Sequence, residues 1–279
     1  MKRRAAVIGM VIALAVVAAA CGSGGGGAAV SIKTLQAAVS NTQAAPSSRF
    51  TLDVSTAGAG HDVNVHGSGV TTADHKTAQI TFEIPMLGSV EARIVDGTMY
   101  MNLGSLGALS GKLPEGKQWV SISLDALKSQ AGSDFGSLFG QTQQNGPTQG
   151  LEYLQGLSGD VTKVGDDTIA GAHATHYRAS IDYAKVAAKL PPSSALAGKL
   201  AKLGVVPADV WINDDDRVVK MHFNVEGGAF GGGAGTADFT MEITDFGVPV
   251  DVQAPPADQT VDVSGLLGRF HGAGQPLST

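Results

Sequence analysis

The sequence predicts an α+β protein built on one curved antiparallel β-sheet, whose concave face is covered by helices. From Arg49 onward, apolar and polar residues alternate with a period of two over most of the chain. This alternation is typical of strands with one buried and one solvated face. The strands are short and follow one another through tight turns, which indicates an antiparallel meander, and the helical segments are too few for a second layered domain.

A short helix and a first meander occupy the first half of the chain. Ser31 is placed to cap a helix over residues 31–40, in which apolar residues recur at helical spacing. The Asp96-Gly97 pair marks a tight turn. Five strands are predicted, at residues 50–54, 63–65, 80–84, 90–94 and 99–103.

The second half is predicted to place helices before a second meander. Asp182 is placed to cap a helix, and Asp160 to form a turn before a strand. The Gly-rich segments 135–149 and 227–235 are predicted loops. Helices are predicted at residues 124–130, 147–157, 183–190 and 194–203, and strands at 161–164, 174–181, 209–213, 218–225 and 237–244.

The N-terminus has the pattern of an export signal. Three basic residues are followed by an uncharged run that ends in the small residues before Cys21. This run is shorter than the roughly 20 residues that a membrane-spanning helix needs. Residues 22–27 contain only Gly and Ser, which is typical of a flexible linker. A plain signal peptide and an uncleaved anchor with an incidental cysteine remain alternatives.

Charge and cysteine content exclude several functions. Removal of residues 1–20 takes away three cations and no acids, so the formal net charge changes from −6 to −9. An acidic protein of this kind is not expected to bind nucleic acid. It is also not expected to adhere electrostatically to anionic lipid. Cys21 is the only cysteine, which excludes a disulfide within one chain.

No motif for catalysis, a cofactor or a metal is found. The sequence contains no nucleophile elbow, zinc-protease motif or P-loop. His173 and His176 are three residues apart on a predicted strand, which places them on opposite faces. The run 214–216 of three aspartates is predicted to be a hairpin turn rather than a calcium loop. The histidines at 61, 66, 75 and 222 are predicted to be solvated. We therefore expect no enzymatic activity, no cofactor and no metal.

The remaining candidate site is the apolar face of the sheet. Methionine side chains are frequent there, and they adapt to partners of variable shape. Alternation alone does not distinguish a filled core from a cavity large enough for lipid, and both readings stay open. The candidate residues are Ile80, Phe82, Ile84, Val90, Ala92, Ile94, Met99, Met101, Val219, Met221, Phe223, Met241 and Ile243.

Several segments carry a family resemblance, which extends from about Phe50 to Val252. The segments are 96–101, 116–120, 171–177, 210–213 and 217–220, together with the small residues before Cys21. The chain resembles the LolA-like superfamily of lipid-carrying lipoproteins, especially the actinobacterial LppX/LprG group. The residues before Cys21 resemble a lipobox, with Ala18 where the family favours Leu. In lipoproteins, that cysteine receives diacylglycerol and becomes the mature N-terminus.

The resemblance implies a U-shaped half-barrel with helices closing its mouth over an apolar cavity. It also implies a protein anchored by acyl chains such as palmitate to the extracytoplasmic face of the cell membrane. Such a protein binds a lipid or glycolipid and assists its transport, with a further envelope protein as a possible delivery partner. The alternative is a scaffold or sensor-partner lipoprotein of the same fold with a filled core.

These inferences divide the chain into four parts. Residues 1–20 are the predicted signal peptide, and residues 21–45 hold the lipidated cysteine, the tether and the short helix. Residues 46–265 form the predicted LolA/LppX-like domain. Residues 266–279 are a predicted flexible tail.

Overall fold

A computed structural model describes residues 29–58, 62–86, 88–106, 113–129, 151, 154–188, 195–226 and 235–264. Thirteen strands form one open sheet in the order β1-β8-β9-β10-β11-β12-β2-β3-β4-β5-β6-β7-β13. Neighbouring strands are antiparallel except for β7 and β13, which are parallel. Within the described ranges, no helix has the length and apolar character needed to cross a membrane.

The strands vary from two to thirteen residues in length. They are β1 (Ala29–Val30), β2 (Ser47–Gly58), β3 (Val63–Thr72), β4 (Thr77–Ile84), β5 (Gly88–Val95), β6 (Thr98–Asn102), β7 (Trp119–Ser123), β8 (Leu157–Ile169), β9 (Ala172–Asp182), β10 (Val205–Asn213), β11 (Val218–Glu226), β12 (Gly235–Phe246) and β13 (Thr260–Asp262).

Four α-helices with described bounds accompany the sheet, and Leu151 is also helical. They are α1 (Ile32–Gln43), α2 (Leu124–Ser129), α3 (Tyr183–Ala187) and α4 (Ala195–Ala201). Two short 3-10 helices span Leu154–Gly156 and Ala257–Gln259. The predicted caps are confirmed. The side chain of Ser31 accepts a hydrogen bond from the backbone N–H of Lys33, and that of Asp182 accepts from Ala184 and Lys185.

The main core packs α1, α3 and α4 against one face of the sheet. Leu35 from α1, Tyr183 from α3 and Leu200 from α4 are all fully buried in one cluster with side chains from strands β8 to β12 and β2. A buried hydroxyl fixes α1 to β11. The Oγ1 of Thr42 donates to the Ala38 carbonyl over 2.7 Å and accepts from the backbone N–H of Val218 over 2.8 Å. The first helix therefore contributes to the core as well as the helices after β9.

The predicted meanders are confirmed, and so are the two hairpin turns. Asp96 and Gly97 both have positive φ angles between β5 and β6. Asn213 and Asp216 close the β10–β11 turn, in which the Asp216 N–H donates to the Asn213 carbonyl over 3.0 Å. The helices predicted at 124–130, 183–190 and 194–203 are present over slightly shorter spans.

Two predictions about the strands are wrong. The predicted all-antiparallel sheet is a mixed sheet, because residues near the C-terminus add β13 beside β7 in parallel. The turn predicted at Asp160 is not observed, because β8 begins at Leu157 and contains Asp160. The helix predicted at 147–157 is observed in part: Leu151 is helical and Leu154–Gly156 form a 3-10 helix. Gly159 has a φ of 72° beside a shift in the β8–β9 register. This irregularity interrupts the alternation, which explains why the segment resembles a turn in sequence.

Several predicted features lie outside the described residues. They are the signal peptide and tether at 1–28, the loop 135–149, most of the loop 227–235, the first residues of the helix 147–157, His61, and the tail 266–279.

Candidate functional site

Two rows of apolar side chains cross the sheet on one side, which we call the apolar face. Each row consists of residues that are directly paired between neighbouring strands. The first row is Ile243, Phe50, Gly69, Ile80, Ala92, Met101 and Val120. The second is Val210, Met221, Met241, Leu52, Gly67, Phe82 and Val90.

Burial divides the candidate residues of this face into two groups. One group is almost fully buried: Val90, Ile94, Met99, Met221, Phe223, Met241 and Ile243. The last four belong to the main core under the helices. The other group is only half-buried and lies on β4, β5 and β6. We call it the half-buried strip: Ile80, Phe82, Ile84, Ala92 and Met101.

Both rows pass through a glycine on β3, between the main core and the half-buried strip. A Cβ on Gly69 would lie 2.4 Å from the carbonyl oxygen of Gln79 and 3.0 Å from the ring of Phe50. A Cβ on Gly67 would lie 3.2 Å from the ring of Phe82. Because neither glycine has a side chain, the apolar face is recessed at these two positions, which we call the glycine step. Aromatic rings from the neighbouring strands lie over it.

Val219 does not lie on the apolar face, so this prediction is wrong. Along β10 and β11, Trp211 pairs with Lys220 but Ile212 pairs with Val218, so one extra residue is inserted into β11. Across such a bulge, the alternating side chains change to the opposite face of the sheet from the one that the sequence pattern predicts. Val219 packs with Ile169, Ala174 and Trp211 in a separate small cluster.

The opposite side of the sheet, which we call the polar face, carries a row of charged and hydrogen-bonding side chains. In strand order from β9 to β5, the row is Arg178, Asp209, His222, Thr240, Asp53, His66, Glu83 and Ser89. His66 Nδ1 lies 2.7 Å from Asp53 Oδ1, and His222 Nε2 lies 2.8 Å from an oxygen of Asp238. Both histidines are partly exposed, and each has a carboxylate as its partner.

Trp211 organises the polar face around β10. Its indole stacks on the ring of His176, with centroids 4.3 Å apart, and its Nε1 donates to Asp167 over 3.2 Å. The backbone N–H of Thr168, together with this indole, holds the pKa of Asp167 below its ordinary value. His176 also lies 2.8 Å from Asp209. The arrangement joins β8, β9 and β10 by side chains, so we assign it a structural role.

His173 and His176 contact different carboxylates, so the contacts of the two histidines do not form one metal site. Instead of approaching His176, His173 lies at the end of the sheet, where its Nδ1 is 2.7 Å from Asp214 and its Nε2 is 3.5 Å from Asp166. The hydrogen bond to Asp214 raises the pKa of His173 above its ordinary value, and the charge of Asp166 adds to this shift. Among the described residues, no group of three or more His, Cys, Asp or Glu side chains is placed to hold a metal ion.

We expect Asp214→Asn to lower the pKa of His173. NMR titration of the His173 imidazole measures this change. The pair with Asp214 favours the protonated ring. It therefore stabilises the fold fully below the ordinary histidine pKa and loses this effect as the pH rises through the raised value. Asp215→Asn in the same turn is the matched control and should leave the titration unchanged. Equal shifts in the two variants would contradict the assignment.

The glycine step is the feature that the sequence interpretation did not identify. Gly67 and Gly69 alternate within a strand, on the side that carries apolar residues in the neighbouring strands. Glycine inside a strand often marks a place where other groups approach the backbone closely. Two glycines two residues apart were therefore the sequence signal for this feature. The half-buried strip was included among the candidates. Which of its members pack against the main core, as Ile80 does, depends on where the helices lie, and the sequence does not show this.

Comparisons with known proteins relate most of the described chain to one family. The sequence profile of the LppX_LprAFG lipoprotein family matches residues 29–252. An uncharacterized 31.2 kDa protein of Streptomyces griseus is 32% identical over 188 residues, which cover 64% of this chain and 58% of that protein. The match thus spans little more than half of the relative's length.

Two solved structures are also similar to this chain. LppX of Mycobacterium tuberculosis is 14% identical, with a TM-score of 0.46, and the comparison covers 80% of this chain and 97% of that one. LprF of Mycobacterium bovis is 18% identical with a TM-score of 0.46, covering 81% and 97% of the two chains.

Proposed function

Because this chain belongs to the LppX_LprAFG lipoprotein family, we propose that it binds a lipid or glycolipid against the apolar face of its sheet. In this proposal it assists the transport of that lipid through the cell envelope, and no catalysis is involved. A diacylglycerol group on Cys21 tethers it to the extracytoplasmic face of the cell membrane. An envelope protein that delivers or receives the lipid is the expected partner.

The observation that carries the proposal is the half-buried strip. The two apolar rows continue without a polar interruption from the main core onto β4, β5 and β6. There, Ile80, Phe82 and Ala92 keep part of their surface accessible, whereas Met221 and Met241 in the same face are fully buried. An accessible apolar surface beside a packed core is the kind of surface against which acyl chains lie.

The energetics of the ligand favour such a surface. Each methylene group removed from water contributes about 0.8 kcal/mol, so one long acyl chain in water is penalised by roughly 10 kcal/mol or more. A protein that moves lipid between membranes has to offset this cost with apolar side chains. The methionine on the strip, Met101, is flexible enough to adapt to chains of different shape and length.

The anchor fits the same role. A single acyl chain binds a membrane only marginally, whereas two or more hold firmly. A diacylglycerol group on Cys21 would therefore keep the protein on its membrane, and the Gly- and Ser-rich residues after it would let the domain move. The acidic net charge gives no electrostatic attachment to anionic lipid, so the acyl chains supply the anchoring.

The competing function is that of a scaffold or sensor partner. It requires that other parts of the chain fill the space over the strip, so that no ligand enters. The main core, in which Leu35, Tyr183 and Leu200 close over β8 to β12, demonstrates that helices of this protein can fill one part of the face.

Lipid extraction and probe binding test the proposal. The chain from residue 21, with Cys21→Ser to prevent lipidation, is purified and examined by native mass spectrometry and by titration with a fluorescent fatty acid. We expect a co-purifying lipid or saturable binding of the probe with a 1:1 ratio. Absence of both from folded protein would overturn the carrier function and favour the scaffold.

A further inference from the structure

The tip of the β4–β5 hairpin presents an apolar side chain to solvent in an unusual backbone conformation. Met86 is fully exposed, with a relative accessibility of 104%, and has a φ of 65°. Left-handed backbone is costly for residues other than glycine, and asparagine and aspartate tolerate it better than methionine. An unfavourable conformation that holds a large apolar group away from the protein indicates a function for that group.

The surroundings of Met86 are apolar and uncharged. From Ile84 to Ser89 the sequence contains no charged residue. Ile84 is both the last residue of β4 and the outermost member of the half-buried strip, and it pairs with Gly88 across the hairpin. The tip therefore lies where the strip reaches the end of the sheet. A lipid that leaves or enters along β4 passes this hairpin.

The tether allows this end of the sheet to face the membrane. Seven antiparallel pairings separate β8 from β4, so the beginning of β8 and the end of β4 lie at the same end of the sheet. β1 runs antiparallel to β8, so the chain before Ala29 leaves toward the other end of the sheet and has to turn back. Ala29 pairs with Thr162, five residues from the beginning of β8, which corresponds to about 17 Å. The eight residues from Cys21 to Ala29 can span about 27 Å when extended. The anchor can thus reach past this end.

The charges near the tip select the kind of lipid surface. A pocket of about 470 Å³ lies on the polar face below the hairpin, lined by Asp53, Glu83 and His66 among other residues and by no lysine or arginine. An acidic surface repels anionic headgroups at short range. Contact with the membrane therefore depends on the apolar tip and favours headgroups without net charge.

From these observations we propose that the β4–β5 hairpin is a membrane contact, in which Met86 inserts into a bilayer of uncharged lipid. The inserted tip places the open end of the half-buried strip against the membrane. This inference rests on the proposed lipid-binding function and on the anchor at Cys21. A single methionine gives weak binding by itself, so the tip acts only when the anchor holds the domain at the surface.

The test uses the single cysteine of the chain. The protein from residue 21 is coupled through Cys21 to maleimide lipid in phosphatidylcholine vesicles that contain brominated acyl chains. Met86→Trp places a fluorophore at the tip, and Ala170→Trp is the matched control. Ala170 is also exposed and has a φ of 49°, but it lies in the β8–β9 turn at the other end of the sheet. Quenching of the added tryptophan at position 86 and its absence at position 170 are expected.

Equal quenching at the two positions, or none at either, would overturn the proposal. Stronger quenching in phosphatidylglycerol vesicles than in phosphatidylcholine would overturn the choice of an uncharged surface. In a second measurement, Met86→Ser should slow the transfer of a fluorescent fatty acid from vesicles about tenfold, the factor expected for one buried methionine side chain. Its affinity for the free probe should not change.

The two proposals fail in different ways. If the protein binds no acyl probe in solution, the lipid-binding function fails, but quenching at position 86 is still measurable. If the probe binds and tryptophan 86 is not quenched, only the membrane contact fails.

Discussion

Ala92→Trp is expected to abolish uptake of a fatty-acid probe while the protein remains folded. Ala92 lies in the first apolar row between Ile80 and Met101, at the centre of the half-buried strip. An indole at this position would occupy the space that the proposed acyl chain needs. We expect the probe affinity to fall at least about tenfold, measured by titration, with little change in the free energy of unfolding.

The matched control for this variant is Thr81→Trp. Thr81 follows Ile80 in β4 and pairs with Glu91, so its side chain projects from the polar face of the same two strands. Tryptophan there should leave probe binding unchanged. If Ala92→Trp instead destabilises the protein by about 1–3 kcal/mol through overpacking, and the wild-type protein binds no probe, the strip is a filled core.

Gly69→Ala is expected to destabilise the protein by about 3 kcal/mol or more in urea unfolding. The added Cβ would lie 2.4 Å from the backbone oxygen of Gln79, and a backbone oxygen cannot move aside as a side chain can. Relief requires β3 and β4 to shift relative to each other. Because this shift would also displace Phe50 and Phe82, we expect probe binding to weaken in the same variant.

Gly165→Ala is the control for the loss of a glycine from a strand. Gly165 lies within β8, and a Cβ there meets no atom within 4 Å. Alanine restricts the unfolded chain, so this variant should be neutral or slightly more stable than the wild type. A comparable loss of stability in both variants would show that the contact with Gln79 is not the cause.

The sequence predicts this fold well where the structure depends on local periodicity. The strands around Phe50, Phe82 and Met241 follow the period of two, and Ser31 and Asp182 cap helices as expected from their side chains. Turn chemistry at Asp96-Gly97 and Asn213 is equally local. Each of these features is determined by residues that are neighbours in the chain.

The parts that could not be predicted depend on pairing between distant segments. Nothing in residues 260–262 indicates that they join β7 in parallel, because this pairing is decided by a strand 141 residues earlier. The bulge at Val219 is visible only in the register with β10. A single inserted residue moves a side chain to the other face, and alternation cannot detect it.

The candidate site was predictable as a set of apolar residues but not as a site. Met221 and Ala92 occupy equivalent positions in the alternation, yet one is fully buried and the other half-buried. Met221 lies inside the cluster that α1, α3 and α4 form over β8 to β12 and β2, whereas among the described residues of β4 to β6 only Ile80 packs against the border of that cluster. Helix placement is a tertiary property, so the sequence left both a filled core and a cavity open.

The two outer strands of the open sheet have a consequence for molecules crowded together on one membrane. An unprotected sheet edge can pair with the edge of another copy and build continuous sheets from many chains. Here β1 and β13 offer only two and three residues, and the β8 edge is interrupted by two register shifts. The proposed anchor would concentrate copies in two dimensions, and we expect these short, irregular edge strands to limit pairing between neighbouring molecules.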